Sequence, residues 1–367
     1  LHSQEILHFV QNDKSNHMII LIIIFIFTLL VLVLIHELGH FLMAKRFGIK
    51  VEEFGFGIPP RIFGKKIGET IYSLNALPLG GFVRLLGEDE VDKKVLQNPR
   101  SYASQNVWRR ILVVVAGVTM NLILAWIIFY TVLIYQNFRI IYPTLDTGVY
   151  IGHLEKGFPA EKSGVRIGDK VVKVDGKEVK KFDDARNFIK EKKGNPVTLT
   201  LAEIDGKISR EVTVTPKKVE KEDYLIGVGF SPLAIKQYQS GVEKIFSGIT
   251  YAFDLTKTTF AGLGRLIQDL AYGNFQSASQ SVSGPVGLAG MSNNILSGGK
   301  AALPFYLWFV GVISLTLTIF NILPIPALDG GRLLFLTVEA VSRKKVREDI
   351  ERLVHQIGCQ ELQQDPK

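Results

Sequence analysis

The sequence has 367 residues, 47% of them hydrophobic, and a positive mean hydropathy of +0.21, a balance that sets aside an ordinary soluble enzyme and points to a membrane protein. A net charge of +8 without a basic stripe carrying interleaved aromatics reads as Lys and Arg retained on a cytoplasmic face, so no nucleic-acid partner is expected. The single cysteine, Cys359, excludes an internal disulfide and a zinc site built from paired cysteines.

Residues 1–17 are polar and match no element; they are set apart as a doubtful N-terminal extension. Residues 18–47 form the first membrane segment. The apolar run Met18 to Ile35 begins to cross a ~30 Å hydrocarbon layer, and a helix continued through Phe47 completes the span. No small-residue cleavage site follows, so this is a retained anchor rather than a signal peptide. Residues 48–108 are glycine-rich. Phe54-Gly55-Phe56-Gly57-Ile58-Pro59-Pro60, the alternation from Tyr72 to Val83 and the pair Gly80-Gly81 predict strands and tight turns, a membrane-associated β-hairpin region on the cytoplasmic side. Residues 109–136 hold the second span. The run from Ile111 to Tyr135 has no charge and one amide, Asn121. Gly117 and Asn121 share a helix face, a spacing that predicts close helix contact with a polar group turned toward a neighbour.

Residues 142–218 have the composition of a soluble α/β domain, with a helix from about Phe182 to Lys193. Its segments Pro159-Ala160-Glu161-Lys162-Ser163-Gly164-Val165 and Gly168-Asp169-Lys170-Val171-Val172-Lys173-Val174-Asp175-Gly176 resemble a PDZ domain. That resemblance implies a peptide or protein C-terminus added as a strand to a sheet edge. Residues 219–304 are a linker and amphipathic segment that includes Ser283-Gly284-Pro285-Val286-Gly287. Residues 305–331 carry a third apolar run, Phe305 to Leu323, ending in Asn321-Ile322-Leu323-Pro324-Ile325-Pro326-Ala327-Leu328-Asp329-Gly330-Gly331. Two prolines break the helix there and free backbone groups, which a membrane tolerates only inside protein or beside a water-filled cavity. Residues 332–367 form a charged amphipathic C-terminal segment with a helix at Val346 to Ile357, turning polar at Cys359. The predicted fold class is a polytopic α-helical membrane protein with three clear transmembrane helices, an inserted α/β PDZ domain and the β-hairpin region.

His36-Glu37-Leu38-Gly39-His40 puts two imidazoles at i and i+4 on one helix face, the spacing that binds one zinc with the glutamate flanking it. Ionisable groups within an apolar helix are costly, about 2.5–3.5 kcal/mol each, so the trio is read as functional. A catalytic zinc takes three protein ligands and keeps a fourth position for water. Asp329 is the leading candidate for the third, against the plainer reading of a turn residue before Gly330-Gly331. Lys45, Arg46 and Lys50 follow the first span, Arg109 and Arg110 precede the second, and Arg332, Arg343, Lys344 and Lys345 follow the third. These ends are therefore cytoplasmic, His36, His40 and Asp329 lie at similar depth near that side, and the insert faces outward. Glu37 is placed as general base. Asn321 is placed either to donate to substrate or oxyanion or to cap the broken helix, and the sequence leaves both open.

HELGH on the first span, Leu77 to Phe82 (LPLGGF), the AGVTMN stretch and NILPIPALDGG together resemble the site-2 protease family of intramembrane metalloproteases, most nearly the bacterial regulator-of-sigma-E protease type with one PDZ domain. The resemblance runs from about Met18 to Gly358. It implies one Zn2+ held by His36, His40 and Asp329, Glu37 as catalytic base, and Asn321 near the substrate. It implies a multi-pass protein of the bacterial inner membrane, in contact with the lipid bilayer, cleaving single-span membrane proteins such as trimmed anti-sigma factors and remnant signal peptides. Two departures stand out: Val118 replaces the family's usual proline after Ala116-Gly117, and the family's expected fourth transmembrane helix is missing after the amphipathic segment. A silent scaffold and a metal transporter are the rivals; the glutamate of the zinc motif, a base that transport does not need, argues against the second.

Overall fold

The computed structural model describes residues 2–88, 92–144, 147–203, 209–219, 224–280, 284–326 and 328–343. The helix expected at Val346 to Ile357 lies outside the described residues. In chain order the first elements are α1 (His2–Arg46), β1 (Val51–Ile67), β2 (Thr70–Leu85), the short α2 (Lys93–Leu96) and α3 (Val107–Tyr135). Then come β3 (Arg139–Ile141), β4 (Tyr150–Leu154), α4 (Pro159–Lys162), β5 (Lys170–Val174), β6 (Lys177–Glu178), α5 (Phe182–Glu191), β7 (Val197–Ala202), β8 (Ser209–Val214), β9 (Lys217–Lys218), β10 (Tyr224–Leu225), β11 (Val228–Ser231) and β12 (Ile235–Gln237). The chain continues through α6 (Gly241–Ala271), α7 (Phe275–Gln280), α8 (Pro285–Leu296), α9 (Leu303–Ile322) and α10 (Asp329–Ser342). These elements form two compact units, one of residues 1–128 with 283–367, the other of residues 129–282.

Three helical segments in the described residues are long and apolar enough to cross a membrane: Ile20–Arg46, Val107–Tyr135 and Leu303–Ile322. They correspond to the three expected spans. The polar residues before Met18, which composition assigned to no element, continue α1 as helix from His2. Exposed Ile23, Phe27 and Ile127 are the side chains such helices turn toward lipid. Inward-facing residues fix the packing in the first unit. Phe25 and Leu32 of α1 join Tyr306, Phe309 and Ile313 of α9 in one cluster, and the Thr28 and Tyr306 hydroxyls bond at 2.7 Å. A second cluster, Ala44, Ile49, Val51, Leu85, Tyr102 and Val113, ties the end of α1 to the strands and to the start of α3.

The long strands β1 and β2 pair antiparallel, and residues 53–56 are partnered twice. Phe54 lies opposite Val83 and also opposite Tyr72, and Phe56 opposite Gly81 and also Leu74. Residues 53–56 are thus interior, and the stretch that includes Phe82, Val83 and Arg84 lies to one side of them. Gly55 permits this layering, since a Cβ there would sit 2.4 Å from the Phe82 ring. Glu53, buried, accepts from Arg61 at 2.6 Å, so its charge is paired rather than stranded. At the turn, Arg100 and Lys45 both donate to Glu69 and hold its carboxyl at a pKa of about 2.

In the second unit, a sheet of order β11-β4-β5-β7-β8, with β6 on β5, closes over a core of Ile151, Val171, Val174, Leu199 and Leu201. Helix α5 packs Ala185 and Ile189 onto it. Asp184 anchors the start of α5 by accepting from the backbone amides of Lys181 and Lys180, and these bonds depress its pKa. The sheet takes in Val228–Ser231, past residue 218 where the sequence set the domain's end.

Candidate metal centre

The α-helical spacing of His36 and His40 brings their rings together, with Nε2 atoms 3.1 Å apart. Asp329 Oδ2 lies 2.9 Å from His36 Nε2 and 3.2 Å from His40 Nε2. His40 Nδ1 is 2.8 Å from the Val113 carbonyl oxygen, so Nδ1–H donates and Nε2 presents its lone pair inward. Asp329 Oδ2 is buried and accepts no well-formed hydrogen bond, although both rings are within ion-pair distance. Electron-rich atoms converging in this way repel one another unless a cation lies between them. Bonds of 2.0–2.1 Å to a tetrahedral zinc place neighbouring ligand atoms ~3.3 Å apart, close to the separations found. The residues present fit the ion.

Three pieces of chain make this approach possible. Gly39 of α1 packs against α3, where a Cβ would stand 2.3 Å from the Ala116 carbonyl oxygen. Gly117 faces both rings, and a Cβ there would stand 2.4 Å from His40 Nε2 and 2.9 Å from His36 Cε1. On the far side, α9 stops at Ile322 with Leu323 as cap, before Pro324 and Pro326. The turn that follows presses on the start of α10, so that a Cβ on Gly330 would collide with the Leu323 carbonyl and one on Gly331 would lie 2.7 Å from the Ile325 oxygen. The double glycine is what lets α10 begin at Asp329 directly beneath the broken helix. A carboxylate in the first turn also meets the positive end of the helix dipole.

Glu37, His40 and Asp329 line one cavity of about 320 Å3. Its far wall is Phe82 to Leu85 of β2, with Glu88 and Arg332 closing one side through an ion pair. The LPLGGF segment touches the HELGH helix here: a Cβ on Gly81 would lie 3.1 Å from Leu34 and 3.7 Å from Glu37 Cγ. Asn321 sits half-buried in the last turn of α9 and is not among the described residues lining this cavity. The structure thus brings His36, Glu37, His40 and Asp329 together, with Asn321 outside the lining of their cavity. Sequence reasoning expected Gly117 to make a helix contact but did not see that its partners are the imidazoles; the four-residue spacing to Asn121 was the available signal. The Val113 carbonyl and the Arg332–Glu88 pair carried no signal at all.

The sequence profile of peptidase family M50 matches residues 24–362. This chain belongs to that family. It is 34% identical to a putative zinc metalloprotease of Clostridium perfringens over 89% of this chain and 90% of that one. It is 35% identical to another of Clostridium acetobutylicum over 92% of each. The zinc metalloprotease RasP of Geobacillus kaustophilus is 31% identical over 92% of this chain and 93% of its own. This M50 chain is accordingly a zinc metalloprotease of a bacterial membrane, and three of its helices are long and apolar enough to cross one.

Proposed function

We propose that this M50 protease hydrolyses peptide bonds within transmembrane segments of single-span membrane proteins, with His36, His40 and Asp329 holding one zinc and Glu37 as the catalytic base. The approach of Asp329 to both imidazoles carries this reading. A zinc ion in such a site supplies a Lewis acid and lowers the pKa of bound water to about 7. Glu37, lining the same cavity, takes the proton from water and passes it to the leaving amine. His40 is kept in the ligating tautomer by its bond to the Val113 carbonyl oxygen. A helical substrate hides its carbonyls in its own hydrogen bonds, so it must unwind before it reacts. The strand segment Phe82 to Leu85, which walls the cavity, holds the unwound stretch as an added strand, and Asn321 donates a hydrogen bond to it from the end of α9.

The substrate class, trimmed anti-sigma factors and remnant signal peptides, rests on the family resemblance. The inner-membrane topology, with the metal centre toward the cytoplasm and residues 142–218 outside, rests on where Lys and Arg cluster. Residues 142–218 act as a PDZ domain; in support, α5 and β11 flank a groove of about 580 Å3 lined by Phe182, Arg186, Ile189 and Phe230, the shape that takes an extended peptide or protein C-terminus. The deciding experiment is cleavage of a tagged single-span substrate by the wild type and Glu37→Gln. The variant should keep about one zinc and lose cleavage; unchanged proteolysis removes Glu37 from the mechanism.

A further inference from the structure

Among the polar atoms of the described residues that are buried without a hydrogen-bond partner in the first unit are Nδ1 of His36 and both Nδ2 and Oδ1 of Asn121. Asn121 is fully buried, and its backbone oxygen is already engaged by the Ser314 hydroxyl at 2.8 Å. Leaving a buried donor or acceptor unmade costs about 1–3 kcal/mol in protein interiors, and bilayer depth offers no bulk water to relieve it.

The two orphaned side chains are on facing turns. His40 bonds Val113, Gly39 meets Ala116, and His36 meets Gly117, so as numbers fall along α1 they rise along α3, and the helices run antiparallel. Asn121 is the next turn beyond Gly117 on the same face. In a helix each Cα–Cβ bond tilts toward its N-terminus. The side chain of Asn121 therefore leans back toward Gly117, and that of His36 leans along α1 toward the level of Asn121. Gly117, having no side chain, leaves the space between them clear. His36 presents Nε2 to Asp329 and His40, so its proton belongs on Nδ1, which needs an acceptor.

We propose that Asn121 is the positioning residue of His36: its amide oxygen accepts from His36 Nδ1–H across one buried water, and so fixes the ring that carries a metal ligand. This rests on the reading of His36 as a ligand given above. Partners of this kind are worth about 10–100-fold in metal affinity.

The test is zinc affinity of the purified full chain by competition with a chromophoric chelator, alongside thermal melting of the metal-free protein. Asn121→Leu, branched alike at Cγ and unable to accept, should bind zinc about 10–100-fold more weakly with the metal-free melting temperature unchanged. Asn121→Asp, which retains an acceptor, should recover most of the affinity. Wild-type affinity in Asn121→Leu overturns the proposal, as does an affinity loss matched by an equal fall in metal-free stability, or one that Asn121→Asp does not restore. His36→Ala separates the two readings: if it too binds zinc like the wild type, the ligand assignment fails, whereas if only Asn121→Leu is silent, only the positioning role fails.

Discussion

Gly117→Ala concentrates the geometry of the metal centre into one methyl group. The added carbon would lie 2.4 Å from His40 Nε2, 2.5 Å from His40 Cε1 and 2.9 Å from His36 Cε1, where ordinary contact needs about 3.5 Å or more. Relief requires the helices to part or the rings to swing by roughly 1 Å. Metal sites tolerate errors of only about 0.2 Å in their bond lengths. Overpacking of this kind costs about 1–3 kcal/mol, equivalent to a ~5- to ~150-fold loss of zinc affinity at 1.4 kcal/mol per decade. Chelator competition on the purified protein measures it, with Gly262→Ala as the control because no atom lies within 4 Å of a Cβ there. Zinc affinity in Gly117→Ala within twofold of the wild type would refute the close approach of α3 to the two rings.

Glu339→Ala should destabilise the first unit, toward the lower end of the ~3–5 kcal/mol seen when one partner of a buried pair is removed, because it strands Arg110, only 11% exposed, on α3; the double change Arg110→Met with Glu339→Met should recover most of the loss in denaturant melts. Gly81→Val should cut substrate turnover with zinc content intact, since a branched side chain there meets Leu34 and the Gly55 carbonyl and pushes the strand from Glu37; equal turnover would argue against that strand as a wall of the reaction site. The Asp184 carboxyl is depressed by the Lys181 and Lys180 amides. Its contribution is present above the unfolded value near 3.9 and lost as pH falls through the lower folded value. Protection of α5 amides from hydrogen exchange, taken relative to the intrinsic rate at each pH, should therefore fall in acid, and Asp184→Asn should show the lower protection already at pH 7.

Much of the site was legible because its elements are local. The i, i+4 pair His36 and His40 needs only a helix, and an apolar run supplies one. Asp329 followed from the proline break and from charge placement, since parallel spans end at one face. Distance in the chain hid the rest. No periodicity reports that the Val113 carbonyl will meet His40, 73 residues earlier, or that Glu88 will pair with Arg332. The alternation around Tyr72 to Val83 predicted paired strands but not the double partnering of residues 53–56, which depends on Gly55 admitting the Phe82 ring. Asn321 shows the converse: its motif marks it, yet its side chain does not line the cavity with Glu37 and Asp329.

The most direct measurement is zinc-edge X-ray absorption on the purified wild type and on Asp329→Ala. A four-coordinate zinc with two imidazole nitrogens at about 2.0–2.1 Å and oxygen in the remaining positions, lost or rebuilt when Asp329 is removed, is the predicted result. A wild-type spectrum that survives the substitution unchanged would contradict the meeting of α1 and α10 around one metal ion.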